Sequence, residues 1–284
     1  PPPPPPPFQA EDGIRDIHCS LVGSEMCIRD RIRRGFVLLA GLVLLACSGG
    51  DRVIVGAGTT TADSGFMAAL EAEYGRDLSI VAGSTAELLE LAAQGSVDVV
   101  IVHDERQELE FMAAHPNADR ATAFESRFLL VGPAQLVDSV AAESVSQAMA
   151  EIAFAGYTFV TRDDGSGTHS RELELWSAAG VTPGGRWYLA TGQGMGLTLQ
   201  VADQMDGFTL VEAGVFASSA DTIDLVPVPL VGSDALANPY SVILASAAGA
   251  DFFAWLSGAA GAAGVVAADA AVFAEPVYRA TTTR

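Results

Sequence analysis

Phe159-Val160-Thr161-Arg162-Asp163-Asp164-Gly165-Ser166-Gly167-Thr168-His169 is the stretch on which the reading of the fold turns. An apolar, β-branched segment over 157–161 predicts a strand, and 162–167 is rich in turn residues. Helical spacing then runs over 168–179, stopped by Gly180 with Pro183 beyond. A strand that ends in glycine and hydroxyl residues and opens a helix is the repeating unit of an α/β sheet.

The same design occurs twice more. Val53-Ile54-Val55 leads into Gly58-Thr59-Thr60-Thr61, and a strand over 78–81 leads into Gly83-Ser84-Thr85. Helices are expected over 63–74, stopped by Gly75, and over 86–94, stopped by Gly95. A buried strand over 97–102, a helix over 104–114 and a strand over 128–131 complete the first half. The second half adds helices over 146–154 and 194–204, and strands over 187–189, 208–211, 226–230 and 240–245. A last helix begins at 251. This rhythm predicts parallel strands with crossover helices, in two α/β lobes joined by crossing strands rather than beads on a string.

The chemistry is expected at the three loops. A helix start offers unpaired N–H groups and a partial positive charge, glycine lets the backbone approach a ligand, and a hydroxyl adds a donor. In α/β sheets, ligands sit at the C-terminal ends of strands. Each loop alone reads as an ordinary Ser/Thr helix cap, and it is the three together, with an arginine at the edge of one, that point to a ligand. Arg162 sharpens the third, because a guanidinium is always charged and grips oxyanions with two parallel donors; its competing reading is a salt bridge to Asp163 or Asp164. Other patterns fail. Gly192-Gln193-Gly194-Met195-Gly196 lacks dinucleotide spacing, and a P-loop needs a lysine that the chain does not have. Ser166 and His169 suggest a hydrolase, but Gly165-Ser166-Gly167 lacks the spacing of a nucleophile elbow. His103, after strand 97–102, reads as a structural hydrogen-bonding group, and Met195 as core.

Composition narrows the partners. The 284 residues hold 35 acids and 15 basic residues, all arginine, for a net charge of −20. That balance argues against nucleic acid, whose backbone calls for dense positive charge. It also argues against a polybasic membrane patch. A dianion is repelled at long range, so its capture must rest on local donors.

The first residues have a different character. Pro1 to Pro7 is low-complexity, and 8–30 has no periodicity, so 1–30 reads as an artefactual leader. Arg31, Arg33 and Arg34 precede eleven apolar residues, Phe36 to Ala46, too few to span a bilayer. They form a signal over 31–46, and Leu44-Leu45-Ala46-Cys47 reads as a lipobox with Cys47 lipidated, followed by a tether over 47–52. Two or more acyl chains at Cys47 anchor a protein stably without a transmembrane helix. Cys19 and Cys27 fall in the leader, which leaves the mature domain no internal disulfide. With His103, His115 and His169 scattered, no metal site or cofactor is expected.

Taken in order, Thr59-Thr60-Thr61-Ala62-Asp63-Ser64-Gly65, Val97 to His103, Phe128 to Pro133, Phe159 to His169, Glu174-Leu175-Trp176, Trp187 to Gly196 and Asn238-Pro239-Tyr240-Ser241-Val242-Ile243 resemble the tungstate-binding proteins of bacterial ABC importers. The resemblance covers about residues 53–245. It implies a type II periplasmic-binding-protein fold with the ligand cleft between two lobes, 53–132 plus 225–284 and 133–224. It implies tungstate, or molybdate, held by Thr59, Thr60, Thr61, Ser84, Arg162, Ser166, Gly167 and Thr168, with Thr191, Gly192, Gln193 and Gly194 lining the cleft. It further implies a monomer that works outside the cytoplasmic membrane, partners an ABC permease and catalyses nothing. Phosphate or sulfate is the rival ligand. Tungstate is a full dianion at neutral pH and wants only donors, whereas phosphate keeps a proton and rewards an acceptor such as Asp163 or Asp164.

Overall fold

Val99 and Ile101 face one side of their strand and Val100 and Val102 the other, and both sides are buried. A run apolar on every residue, as in 99–102, is what a strand covered on both faces requires. The computed structural model describes residues 52–232 and 234–281. The leader, the signal, Cys47 and the tether through residue 51 lie outside them.

In the first lobe, β1 (Val53–Gly58) leads into α1 (Thr59–Asp63) and α2 (Phe66–Tyr74), then β2 (Leu78–Gly83), α3 (Thr85–Ala93), β3 (Val99–Val102) and α4 (Glu105–Ala114). The expected single helix over 63–74 is split, because Gly65 takes a φ of 81° and restarts the helix. As expected, β1 lies parallel to both β2 and β3.

The chain then crosses on β4 (Asp119–Pro133). The second lobe holds α5 (Val145–Ala155), β5 (Phe159–Thr161), α6 (Gly167–Ala178), β6 (Tyr188–Ala190), α7 (Met195–Gln204), β7 (Thr209–Glu212), α8 (Ala213–Ser219) and β8 (Leu225–Pro227). Its sheet has one core of Phe128, Leu130, Phe159, Trp176, Phe208 and Leu210 on one side, and Val131, Val160, Met195, Leu199 and Val211 on the other. The chain returns on β9 (Ala237–Leu244), and α9 (Ala250–Leu256), α10 (Ala259–Val272) and β10 (Arg279–Ala280) close the first lobe.

The expectation of parallel strands throughout is corrected. β4 pairs antiparallel with β9, β7, β8 and β10, and β9 runs antiparallel to β3. The reason is topological: a strand that leaves a lobe and a neighbouring strand that returns to it must run in opposite directions. β4 changes partner between Arg127, opposite Ala237 of β9, and Phe128, opposite Glu212 of β7. The sequence reading set the crossings at 132 and 225; Val226, Val228 and Leu230 pack with the second lobe's core.

α10 was absent from the sequence reading. Its buried face is Gly261, Gly264, Val265, Ala268 and Asp269, a helical stripe of mostly small residues. A Cβ on Gly261 would stand 2.4 Å from the Trp255 carbonyl oxygen, so the close approach to α9 requires glycine there.

Candidate functional site

Arg162 leaves the end of β5 at the junction of the lobes. The backbone there is pinned by the neighbouring loop, with Thr191 N–H donating to the Thr161 carbonyl at 3.0 Å and Gly192 N–H to the Arg162 carbonyl at 2.8 Å. Asp163 (φ 50°) and Gly165 (φ 69°) then turn the chain back on itself. The result is a guanidinium only 2% exposed, gripped by Asp164: Nε and Nη2 donate to Asp164 Oδ2 at 3.0 and 2.5 Å. Nη2 also donates across the lobes to Thr59 Oγ1 at 3.2 Å. Nη1 is buried without a partner.

Immediately downstream, Ser166 caps α6. Its Oγ accepts from the His169 N–H at 3.3 Å, and its own N–H donates to Asp164 Oδ1 at 3.1 Å. Thr168 is 1% exposed, and its Oγ1 has no partner. A buried polar group left unpaired costs about 1–3 kcal/mol. Among the described residues four such side-chain atoms occur: Arg162 Nη1, Thr168 Oγ1, His103 Nδ1 and Asn238 Nδ2. The first two lie six residues apart on one loop and helix start. The His103 ring touches the Gly167 position between them, where a Cβ would come within 2.8 Å of the imidazole. A cluster of orphaned donors at a lobe junction is what an oxyanion would satisfy.

The remaining expected residues divide. Thr59 reaches Arg162, but Thr60 Oγ1 is engaged with the Tyr240 hydroxyl at 3.1 Å and Thr61 Oγ1 donates to the Gly58 carbonyl at 2.9 Å. Ser84 sits in a complete capping box: its Oγ donates to Glu87 Oε2 at 2.9 Å and accepts from the Glu87 N–H at 3.3 Å. Its hydroxyl is spent on α3. Gly192 and Gln193 are exposed, and Gly194 caps α7 with no side-chain bond, which leaves that helix start open. The serine and histidine of the hydrolase reading do not pair. The Ser166 hydroxyl serves the helix start, while His169 Nδ1 accepts from Gly165 N–H at 3.3 Å and Nε2 stands 3.7 Å from Asp163.

His103, read from the sequence as a structural hydrogen-bonding group, stands at the same junction. It follows β3 directly, and its position at a strand's C-terminal end, like the three loops, was the available signal. Its ring packs at 4.7 Å from Tyr240, between Gly58 and Gly167. Burial, and then the Arg162 charge, hold its pKa down to about 4, so the imidazole is neutral.

Behind the loop, Glu172 accepts from Thr161 Oγ1 at 2.8 Å, Trp176 Nε1 at 3.0 Å and Tyr188 OH at 2.6 Å. Burial pushes its pKa up to about 7. At the crossing, Glu212 accepts from Ser126, from Tyr278 OH and from the Gly214 and Val215 N–H groups, and burial raises it to about 7 as well. Among the described residues, no group of three or more His, Cys, Asp or Glu side chains is gathered to hold a metal ion.

Residues 46–265 match the family described as the PBP superfamily domain. A putative ABC transporter anion-binding protein of Haloferax volcanii is 40% identical over 194 residues, 65% of this chain and 57% of that protein, so the chain spans little more than half of that relative. The tungstate-binding protein TupA of Peptoclostridium acidaminophilum is 34% identical over 198 residues, 67% of this chain and 69% of that protein. Among solved structures, that of the tungstate ABC transporter from Geobacter sulfurreducens superimposes with a TM-score of 0.68 at 29% identity, covering 76% of this chain and 98% of that one. With its two lobes and the extent of these matches, the chain belongs to the PBP superfamily, in the family that holds the tungstate-binding proteins.

Proposed function

We propose that the chain is the solute-binding component of an ABC importer, capturing tungstate outside the cytoplasmic membrane and delivering it to the permease. The observation that carries this reading is the pair of buried, unpartnered donors, Arg162 Nη1 and Thr168 Oγ1, at the junction of the lobes. Arg162 supplies the charge, fixed in direction by Asp164. Thr59, Ser166, the amide of Gly167 and the open start of α7 are further donors within the same junction. The bond from Arg162 in the second lobe to Thr59 in the first supports closure of the lobes around the anion as the signal to the permease.

The charge state of the site favours tungstate over phosphate. Phosphate near neutral pH carries a proton that needs an acceptor. Each oxygen of Asp164 is engaged, one by the Arg162 guanidinium and one by the Ser166 N–H, and Asp163 is exposed beside His169. Donors alone suit a fully deprotonated dianion, and the named relatives favour tungstate among these. Molybdate, matched in size and charge, is expected to compete. The protein acts by binding rather than by turnover, as a monomer, and Cys47 is its lipid anchor.

Isothermal titration with tungstate, molybdate, sulfate and phosphate tests this. The expected order puts tungstate and molybdate first and phosphate last. Tight phosphate binding without tungstate binding would overturn the reading.

A further inference from the structure

His103 stands on the first lobe, at the end of β3, yet its ring lies against the first residue of α6 in the second lobe. That contact is demanding. A Cβ at position 167 would come within 2.8 Å of Cε1 and 2.9 Å of Nδ1, so only glycine lets the ring in. The other edge of the ring faces Gly58, where a Cβ would be 3.8 Å from Cδ2. Gly167 thus makes room for the imidazole, which lies between the strand end that opens α1 and the helix start that carries Thr168.

A structural histidine ordinarily spends Nδ1 on a carbonyl or carboxylate. Here Nδ1 is sealed from solvent and has only the Asn238 amide beside it, whose Nδ2 likewise makes no other bond. The nearest acid in sequence, Asp104, is committed elsewhere: its carboxylate caps α4 through the Gln107 N–H at 3.1 Å and the Gln107 amide at 2.6 Å. The ring is held by packing against Tyr240 and Phe128. Arg162 is close enough to disfavour a second positive charge on it.

We propose that His103 is a further oxyanion-binding residue, whose neutral imidazole donates one N–H to the anion held by Arg162 and Thr168. It adds a donor without adding charge. Because it reaches across from the other lobe, it makes its bond only when the lobes are closed, so it ties anion binding to closure. This rests on the oxyanion reading of the same junction.

The test is titration of the full chain with tungstate, comparing wild type, His103→Phe and His103→Gln, with melting of each ligand-free protein alongside. Phe keeps a ring and removes the donor; Gln keeps a donor of similar reach. The expected result is an affinity about 10- to 100-fold lower for His103→Phe, the loss of one hydrogen bond to a charged group. His103→Gln recovers most of that loss, and the ligand-free melting temperatures differ little. Wild-type affinity in His103→Phe, or equal losses in both variants, would overturn the proposal and leave a packing role. Failure of wild type itself to bind any oxyanion would instead overturn the functional reading, and His103 with it.

Discussion

The loop that opens α3 and the loop that opens α6 use the same kinds of residue at the same place in a strand-to-helix unit, and they end in opposite conditions. Gly83-Ser84-Thr85 is followed by Glu87, whose carboxylate returns to the Ser84 N–H and hydroxyl and closes the helix start upon itself. Gly165-Ser166-Gly167-Thr168 is followed by His169, whose ring returns to the Gly165 N–H and not to Ser166, and Arg162 and Thr168 keep donors unspent in a buried setting. A glycine and a hydroxyl at a helix start are therefore neutral between capping and ligand binding. The residue three positions into the helix, together with what the other lobe brings to the loop, decides between them.

The comparison breaks most readily at Arg162. Arg162→Ala removes the buried cation and leaves Asp164 unpaired, and it is expected to cost about 2–5 kcal/mol of tungstate binding by titration. Arg162→Lys should restore only part, since an ammonium lacks the fork that grips Asp164 and the anion together. A loss at Arg162 no larger than at Ser84 would end the distinction between the loops.

A second difference lies in the acids. Glu87 sits at a helix start, while Glu172, inside α6, is buried behind the open loop with a pKa raised from 4.5 to about 7. A carboxyl raised in the folded state holds its proton there better than in the unfolded chain. Its contribution to stability is therefore complete below the unfolded pKa and is lost as pH rises toward about 7. Melting temperature should fall across that window, and Glu172→Gln should flatten the fall. An unchanged slope would assign the pH dependence elsewhere, Glu212 being the other buried acid with the same shift.

The smallest effect is expected at Ser84. Ser84→Ala should lower stability by about 1 kcal/mol through loss of the cap. Tungstate affinity should move by less than about threefold, which is under 1 kcal/mol. A drop in affinity to match Arg162→Ala would return Ser84 to the binding site.

Much of the fold was legible because burial writes itself into sequence. Strands covered on both faces, such as β1 and β3, are continuous apolar runs, and the helices over 85–93 and 145–155 carry their caps and stops in the chain. The first half of β4 was not legible, because Asp119, Arg120, Glu125 and Arg127 interrupt any apolar pattern; its strand form comes from pairing with β9 and β10. α10 escaped for a different reason. Alanine and glycine carry little hydrophobic contrast, and only the fit against α2 and α9 reveals which side is buried. In the site, Arg162 stood out because cations are scarce in so acidic a chain. His103 did not, because its one local signal, the C-terminal end of a strand, is shared by histidines that only pack.

The sequence by itself determined the alternation of strands and helices, the three glycine and hydroxyl loops, and the arginine at the end of β5. These depend on local pattern, on neighbours within a turn of helix or a few residues of strand. Only the tertiary structure decided which loop is closed and which is open, which two of the three threonines are spent, that β4 and β9 run antiparallel, and that His103 meets Gly167 across the lobes. Those facts depend on which side chains from distant segments compete for the same hydrogen bonds and the same space, and that competition exists only once the two lobes come together.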